Sequence, residues 1–172
     1  MVKNFNYKTN NEIVNLKLKY RLNQQDISDN LDTVKKNILR VIDVNLNRCR
    51  EGLRVVEDAL RFVLNDSFFS EIRKTRHNID KIFNNIYDDL LNDRDSFIDL
   101  GRQIHECQSK TLSDLIIANF KRAQESLRVL EEYSKIFFPM ISENFKKNRY
   151  IVYDLEKMVY LKYKIIFCHY KK

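Results

Sequence analysis

The chain has 172 residues, long enough for one hydrophobic core, and it carries only two glycines, one proline and no tryptophan. So few helix-breaking residues, beside abundant Lys, Leu, Ile, Asn and Glu, predict an all-α fold. The formal net charge of +7 favours an anionic partner, which could be nucleic acid, a membrane surface or a phosphorylated metabolite.

Several classes of protein are excluded at this point. No apolar run approaches the roughly 18 residues of a membrane span, and the N-terminus lacks the apolar segment of a secretion signal. Cys49, Cys107 and Cys168 lack CxxC spacing, which predicts reduced thiols and a cytoplasmic location rather than a zinc site. The basic residues are scattered, so nucleic acid is not expected as the partner.

In chain order, residues 1–37 are predicted to be an N-terminal extension, with one amphipathic run from Glu12 to Leu22, and residues 38–172 a helical domain. The first long helix is predicted from about Leu31 to Leu64, with Asn30 or Asp32 as its N-cap. A turn at residues 65–67 separates it from a second helix.

The second predicted helix runs from about Phe69 to Leu91. Its buried stripe would be Ile72, Ile79, Ile82, Phe83, Ile86 and Leu90. Residues 92–110 break the pattern and form a loop of the length that is often functional. A third helix is predicted from Thr111 to Phe138, where Pro139 stops it, and a fourth from Glu143 to Phe167.

The first and third helices contain two copies of one segment. Residues 45–57 read NLNRCREGLRVVE and residues 119–131 read NFKRAQESLRVLE, with seven identities in thirteen positions at an offset of 74. The identical pairs are Asn45/Asn119, Arg48/Arg122, Glu51/Glu125, Leu53/Leu127, Arg54/Arg128, Val55/Val129 and Glu57/Glu131. The repeat predicts an antiparallel bundle of two helical hairpins, residues 38–91 and 112–165, related by an approximate two-fold axis.

Polar residues lie inside or beside the apolar arc of each copy. Asn45, Arg48 and Gly52 lie at i, i+3 and i+7 in the first copy, and Asn119, Arg122 and Ser126 take the same angles in the second. A buried amide or guanidinium needs a partner. Either these groups bond helix ends and each other, or each copy lines a polar pocket in which the small residue leaves room for a ligand. In the second case we predict that Asn45, Arg48, Asn119 and Arg122 converge on one cavity. Arg54 and Arg128 point outward and are predicted to be solvated.

The usual catalytic motifs are absent. The chain has no GxxxxGK[ST], no GxGxxG, no HExxH and no serine-nucleophile elbow, and its three histidines are scattered. What remains is a set of arginines, acids and amides on helices. That set suits phosphate binding with acids available for Mg²⁺, and it equally suits a bundle stabilised by ion pairs.

Five separated segments closely resemble one small helical family. They are NLNRCREGLRVVEDALRFVL, RKTRHNIDKIF, DLGRQIHE, LIIANFKRAQESLRVLEEYSKIF and FKKNRYIVYDLEK. The family is the compact hydroxymethylpyrimidine phosphate kinase of thiamine biosynthesis, often fused in front of thiamine-phosphate synthase. The resemblance covers about residues 38–157. The sequence departs from the family at Arg102, where threonine is usual after Gly101, and at Lys110, near which arginine is usual.

The resemblance implies ATP-dependent phosphorylation of hydroxymethylpyrimidine phosphate to the diphosphate in the cytoplasm, with Mg²⁺ and a functional link to thiamine-phosphate synthase. It implies catalytic roles for Arg48, Arg122, Glu51 and Glu125, of which the arginines would contact phosphates. Substrate or ATP would contact Asn45, Asn119, Gly52, Arg76, His77, Gly101 and Arg149. Mg²⁺ ligands would come from Asp99, Glu51 and Glu125. No synthase barrel is expected to follow, since one needs on the order of 200 further residues.

Two other classes stay open on the sequence alone. One is a helical enzyme with an arginine-lined core pocket, such as a chorismate-mutase-like enzyme, which would need no ATP. The other is a non-catalytic helical interaction module, nucleic-acid binding included. The sequence does not fix the oligomeric state, and a homodimer is among the assemblies left open.

Overall fold

The computed structural model describes residues 24–82, 86–94 and 111–169, with backbone alone for residues 24–27 and 165–169. All regular structure in these ranges is helical, and the all-α prediction is confirmed. The helices are α1 (Gln24–Asp58), α2 (Phe69–Lys81), α3 (Tyr87–Asn92), α4 (Leu112–Phe137) and α5 (Pro139–His169).

Helix α1 begins earlier than predicted. Its first residue is Gln24 rather than Leu31, and both predicted N-caps, Asn30 and Asp32, lie inside the helix. No glycine or proline interrupts the chain before Gly52. Once a helix is nucleated, each further residue is added at little cost, so the helix extends through polar, exposed residues that the apolar pattern did not include.

At its C-terminal end α1 continues into one wide turn of π-helix, Ala59–Val63. The Leu64 amide donates to the Ala59 carbonyl at 3.1 Å, five residues back. The wide turn rotates the chain, so Val63, which regular helical spacing would place on the same face as the buried Val56, is 60% exposed. The predicted turn follows, with Asn65 in the left-handed region at φ 48°.

The second predicted helix is two helices. It ends at Lys81, and α3 begins at Tyr87 after Ile86, whose φ of −125° and ψ of 18° are not helical. The sequence places two asparagines at positions 84 and 85, and asparagine is a poor helix former. Ile72, Ile79 and Leu90 are buried as predicted, Ile82 and Ile86 are partly buried against the core, and Phe83 lies outside the described residues.

Helices α4 and α5 follow each other almost directly. Thr111 caps α4 by accepting a hydrogen bond from the Asp114 amide at 3.0 Å, in agreement with the prediction. Pro139 follows the end of this helix, as predicted, and it is also the first residue of α5. Proline suits that position, where the amide it lacks would have no helical partner. The last helix therefore begins before the predicted Glu143.

The α4–α5 pair is an antiparallel hairpin. Glu131 bonds Arg149, and Gln124 bonds Glu156, so the contacts rise along one helix as they fall along the other. The ion pairs that join α1 to α2, described below, run in the same antiparallel sense.

The repeated helices α1 and α4 cross closely at Gly52. A Cβ atom on Gly52 would lie 2.8 Å from the Asn119 carbonyl oxygen and 3.6 Å from the Ala123 amide nitrogen. The space beside Gly52, expected to hold a ligand, is therefore filled by the backbone of α4. The core around this crossing includes Ile42, Leu53, Leu60, Ile116, Phe120, Leu127 and Phe145.

The chain divides into two units between Asn37 and Ile38, and the hydrophobic core lies in the second. The separate role of residues 1–37 stays a prediction. Among the described residues, none of the helices combines the length and apolarity needed to cross a membrane.

Candidate functional site

Each hairpin contains a buried glutamate held by an arginine of the neighbouring helix. Glu57 on α1 is fully buried and accepts a hydrogen bond from Arg76 Nε on α2 at 3.1 Å. Glu131 on α4 is 4% exposed and accepts from Arg149 Nη2 on α5 at 2.9 Å. The two glutamates are equivalent in the repeat, so the internal duplication extends from one helix of each hairpin to the other.

The second pair has more contacts than the first, since Arg149 donates to Glu131 Oε2 from Nε as well as from Nη2. Glu131 Oε1 also accepts from Arg128 Nη1 at 3.0 Å, so both of its oxygens are bonded. Glu57 Oε1 is buried without a hydrogen bond among the described residues, and Arg54 Nη1 lies 3.6 Å away. The first hairpin thus holds its buried carboxylate less completely than the second.

The repeated asparagines are buried, as predicted, and their amide nitrogens bond their own helices. Asn45 Nδ2 donates to the Val41 carbonyl and Asn119 Nδ2 to the Leu115 carbonyl, each at 2.8 Å. Both buried donors are therefore satisfied without a ligand.

Arg48 and Arg122 are less buried than the pattern indicated. Arg48 is exposed, and no hydrogen bond or ion pair joins it to the rest of the described chain. Three residues turn a helix by about 300°, so Arg48 is carried about 60° beyond Asn45, away from the core. Arg122 is half-buried, with Nη1 3.4 Å from Asn119 Oδ1.

Each hairpin also carries a surface groove, and the two linings are largely equivalent in the repeat. The α1–α2 groove, about 410 Å³, is lined by Asn47, Arg50, Glu51, Arg54, Val55 and Arg76. The α4–α5 groove, about 540 Å³, is lined by Lys121, Gln124, Glu125, Arg128 and Tyr153. The four residues predicted to share one cavity, Asn45, Arg48, Asn119 and Arg122, line neither of these grooves. Glu51 and Glu125 do, one in each.

In the α1–α2 groove every lining arginine has an acidic neighbour. Arg50 Nε lies 2.6 Å from Asp80 Oδ1, and Arg54 Nε lies 3.2 Å from Asp58 Oδ2. Glu51 is exposed and has no ion pair within the described residues. The predicted His77 is half-exposed beside this groove, with Nδ1 4.0 Å from Asp80 Oδ2.

In the α4–α5 groove the acidic neighbour of Lys121 and Gln124 is Glu156. Lys121 Nζ lies 3.2 Å from its carboxylate, and Gln124 Nε2 donates to it at 2.6 Å. Arg149 Nη1 donates to the Tyr153 hydroxyl at 3.3 Å, and this bond and the pair with Glu131 raise the pKa of Arg149. Arg128, predicted to be solvated, is exposed and still lines the groove.

The acids of the grooves fit one mode of Mg²⁺ binding. The described residues contain no group of three His, Cys, Asp or Glu side chains that could hold a metal ion. Glu51 and Glu125 each bring a single carboxylate to its groove. Mg²⁺ is usually held by one or two carboxylates together with substrate phosphates, and either glutamate fits that mode. Asp99, the third predicted ligand, lies outside the described residues.

The predicted loop is largely outside the described residues, Gly101, Arg102 and Lys110 included. Arg94, the last described residue at the start of this loop, donates to both oxygens of the buried Asp43 on α1, at 2.8 and 2.7 Å. This bidentate pair anchors the chain after α3 to the same helix that carries the α1–α2 groove. The sequence analysis did not single out either residue.

Sequence reasoning also missed the buried glutamates as organising residues. The signal was available, since Glu57 and Glu131 are identical in the repeat and lie four residues after core leucines, Leu53 and Leu127. An acid at a core-facing position of a helix needs a cation from a neighbouring helix. The repeated arginines Arg76 and Arg149 were the candidates.

The fold and site define an all-α protein made of a doubled helical hairpin, with one charged groove on each hairpin. A family model described as the ThiD2 family matches residues 40–158, and the chain belongs to this family. The predicted relation to thiamine biosynthesis is thereby confirmed.

Similar proteins include three named thiamine-phosphate synthase. The chain is 37% identical to that of Nostoc punctiforme over 129 residues, 73% of this chain and 36% of the relative. It is 38% identical to that of Prochlorococcus marinus strain SARG over 128 residues, 72% of this chain and 36% of the relative. It is 42% identical to that of Synechocystis over 123 residues, 69% of this chain and 35% of the relative. The chain thus spans about a third of the length of these relatives. No solved structure matches it.

Proposed function

We propose that this chain transfers the γ-phosphoryl group of ATP to hydroxymethylpyrimidine phosphate, giving the diphosphate. Family membership supports a role in thiamine biosynthesis. The observation that carries the kinase proposal is the charged triplet Arg–Glu–Arg repeated on the outer side of α1 and α4. It consists of Arg48, Glu51 and Arg54 in the first copy and Arg122, Glu125 and Arg128 in the second.

Packing accounts for most of the other identities in the repeat. Leu53 and Leu127 are in the core, Asn45 and Asn119 bond their own helices, and the two glutamates are the buried halves of ion pairs. The triplets lie largely outside the core, because five of their six side chains are exposed and Arg122 is half-buried, although Arg128 also bonds the buried Glu131. Exposed charged residues retained in both copies are better explained by ligand binding than by stability.

The proposed reaction needs charge neutralisation more than it needs a base. An oxygen of the substrate phosphate forms a bond to the γ-phosphorus as the bond from that phosphorus to ADP breaks, and ADP leaves. The nucleophile is already largely ionised near neutral pH, so no proton has to be removed. The protein must hold two polyanions in line against their repulsion, and guanidinium groups suit that task.

The ion pairs in the grooves are compatible with phosphate binding. Arg54 and Arg128 are about half-exposed, and exposed ion pairs are worth about 0–1 kcal/mol, so a phosphate can replace Asp58 beside Arg54 and Glu132 beside Arg128 at little cost. Arg76 and Arg149 are mostly buried and stay with Glu57 and Glu131. Bound Mg²⁺ would add charge neutralisation between the phosphates, with Glu51 or Glu125 as its protein ligand.

The direct test is to incubate the purified chain with ATP, Mg²⁺ and hydroxymethylpyrimidine phosphate and to follow the diphosphate by ³¹P NMR. We expect stoichiometric formation of ADP and the pyrimidine diphosphate. Arg54→Ala removes an exposed arginine that lines the α1–α2 groove; it should lower turnover by at least about 100-fold, as expected for a lost phosphate contact, yet change stability by no more than about 1 kcal/mol. Arg73→Ala, an exposed arginine of α2 outside both grooves, is the matched control.

Substrate choice separates this proposal from kinases that act on alcohols. The free hydroxymethylpyrimidine lacks the phosphate that the arginines would bind, and its hydroxyl would need a base. We expect kcat/KM for the monophosphate to exceed that for the alcohol by far more than tenfold. Values within about tenfold of each other, roughly 1.4 kcal/mol, would contradict the arginine-based account. A working link to thiamine-phosphate synthase remains part of the proposal.

A further inference from the structure

The two grooves share a frame and differ in their lining. Both frames contain a glutamate and an arginine one turn apart, above a buried Glu–Arg pair. Around this frame, three equivalent positions have changed residue type. Equivalent residues are 74 positions apart between α1 and α4, and 73 positions apart between α2 and α5. The three changed pairs are Asn47/Lys121, Arg50/Gln124 and Asp80/Tyr153. A shared frame with a changed lining indicates two sites for different ligands.

The α4–α5 groove has an aromatic wall. The Tyr153 side chain is 38% exposed, and its ring centroid lies 6.0 Å from that of Tyr150 with the rings at 78°. The Arg149 guanidinium lies 5.7 Å from the Tyr153 centroid and fixes the ring from the protein side. An exposed tyrosine held in this way offers a stacking surface for a nucleobase. Lys121 and Arg128 are both exposed and can contact phosphates.

The α1–α2 groove has the opposite character. Of the described residues, those that line it include three arginines and no aromatic residue. The position of α2 equivalent to Tyr153 is Asp80, whose Oδ1 lies 2.6 Å from Nε of the lining residue Arg50. Its volume of about 410 Å³ is also smaller than the 540 Å³ of its counterpart. Guanidinium groups bind phosphate bidentately, and a small groove that contains several of them suits a compact phosphate monoester.

We infer that the α4–α5 groove takes the nucleoside triphosphate, with its base against Tyr153, and that the α1–α2 groove takes the pyrimidine phosphate. This assignment rests on the proposed function, because it divides the two substrates of that reaction between the two grooves. It makes Tyr153 and Arg50 the residues that determine which ligand each half of the repeat accepts.

The assignment is tested by measuring the binding of each ligand alone to the full chain by calorimetry. The ligands are the non-hydrolysable β,γ-imido analogue of ATP and hydroxymethylpyrimidine phosphate. Tyr153→Ala should weaken the nucleotide analogue at least about tenfold, the scale of a lost base-stacking contact, and leave the pyrimidine phosphate unchanged. Arg50→Gln introduces the residue of the equivalent position and should weaken the pyrimidine phosphate alone, also by about tenfold or more.

Matched controls separate ligand contacts from effects on folding. Tyr133→Ala removes a tyrosine of equal exposure from α4 outside both grooves, and Arg73→Gln removes an exposed arginine from α2. Neither should change the binding of either ligand. Tyr153→Phe keeps the ring and loses the bond to Arg149, so it should retain most of the nucleotide affinity. A Tyr153→Phe variant as weak as Tyr153→Ala would exclude stacking as the reason.

The outcomes separate the assignment from the proposed function. If each variant weakens the other ligand, or both ligands equally, the assignment is wrong even where the wild-type chain makes the diphosphate. If binding changes as expected but no diphosphate forms, the proposed function is wrong and the two-ligand assignment stands. Wild-type protein that binds neither ligand overturns both.

Discussion

The buried glutamates show how single residues set the geometry of the grooves. Glu57 and Glu131 carry charge in the core, and each fixes an arginine from the next helix at a defined register. Burial of a carboxylate is tolerated because the ion pair and its hydrogen bonds offset much of the desolvation cost. Arg128 also bonds Glu131, whereas Arg54 stays 3.6 Å from Glu57, so the second hairpin is the more firmly held.

This difference predicts unequal losses of stability. Glu131→Gln leaves the mostly buried Arg149 without its charged partner and should lower the free energy of unfolding by about 3 kcal/mol. Glu57→Gln should cost about 1 kcal/mol less, because one of its oxygens lacks a hydrogen bond. Denaturant unfolding of both variants measures the difference. The control is Glu125→Gln, an exposed carboxylate, which should change stability by about 0.5 kcal/mol or less. Equal losses for the two buried positions would contradict this account.

The helices are where prediction from sequence worked best and where its errors are easiest to explain. The 3.6-residue pattern located α4 within a residue at each end, because Thr111 caps it and Pro139 follows it closely. It gave wrong boundaries for α1, which continues through exposed polar residues, and for the second helix, which breaks before Ile86. A periodic pattern records burial, so it cannot locate the ends of helical segments that lie in solvent.

Because α1 and α4 cross closely at Gly52, the addition of a single methyl group there should lower the stability of the protein. Gly52→Ala would gain about 1 kcal/mol of helix propensity, but its Cβ would lie 2.8 Å from the Asn119 carbonyl oxygen, which is backbone. We expect a net loss of about 1–3 kcal/mol, since the helices must move apart.

Thermal and denaturant unfolding of Gly52→Ala measure this loss. Ser126→Ala, at the equivalent position of α4, adds no atom and should cost less. A Gly52→Ala variant more stable than the wild type would show that the two helices yield easily.

A buried aspartate, Asp66, joins the turn between α1 and α2 to α5. Asp66 accepts hydrogen bonds from the Tyr163 hydroxyl, from Lys162 Nζ at 2.6 Å and from the Phe68 amide at 2.9 Å. The bonds from Lys162, Tyr163 and Phe68 lower the pKa of Asp66 to about 2 from an ordinary value near 3.8. Because the folded pKa is the lower one, this stabilisation is complete above pH 4 and is lost as the pH falls toward 2.

The pH dependence of unfolding tests this contact. The wild-type chain should lose stability between pH 4 and 2, and Asp66→Asn should lose less over that window. At pH 7 the variant should be less stable by about 1–3 kcal/mol, the value of hydrogen bonds to a charged group. Asp154→Asn, an exposed carboxylate of α5, should keep the wild-type acid profile. An Asp66→Asn chain with the wild-type pH profile would assign the acid sensitivity to other groups.

At the scale of the whole molecule, the internal repeat predicted the helical fold and the part of the candidate site that lies on α1 and α4. The repeat identified the paired residues at 51, 54, 57, 125, 128 and 131, and the structure puts all six at the grooves or beneath them. It offered Arg76 and Arg149 as partners of the two buried glutamates, but it could not show the other residues that face the repeat from α2 and α5. Asp80 and Tyr153 differ between the copies, so identity gave no signal there. The convergence of Asn45, Arg48, Asn119 and Arg122 on one cavity, and the two-fold superposition of the halves, stay predictions.

Removal of the N-terminal residues tests whether the second unit suffices for chemistry. A chain that starts at Asn30 loses the first residues of α1, but both grooves and the core lie beyond Asn37. We expect its turnover per folded molecule to match the wild type and its stability to change by no more than about 1 kcal/mol. Steady-state kinetics with circular dichroism as a folding check would measure both. A folded but inactive shortened chain would show that residues 1–29 help to form the site.

The reactivity of Cys49 can report how often the core of this bundle opens. Its thiol is fully buried in α1, and burial, with the nearby Asp80 charge, raises its pKa to about 12. Thiol reagents attack the thiolate, so Cys49 can react only in the intervals when the helices separate. In a chain with Cys107 and Cys168 replaced by serine, the rate of Cys49 labelling therefore counts openings of the core. A ligand that binds only the closed bundle should lower the rate of Cys49 labelling as its occupancy rises. The labelling rate would then report ligand binding.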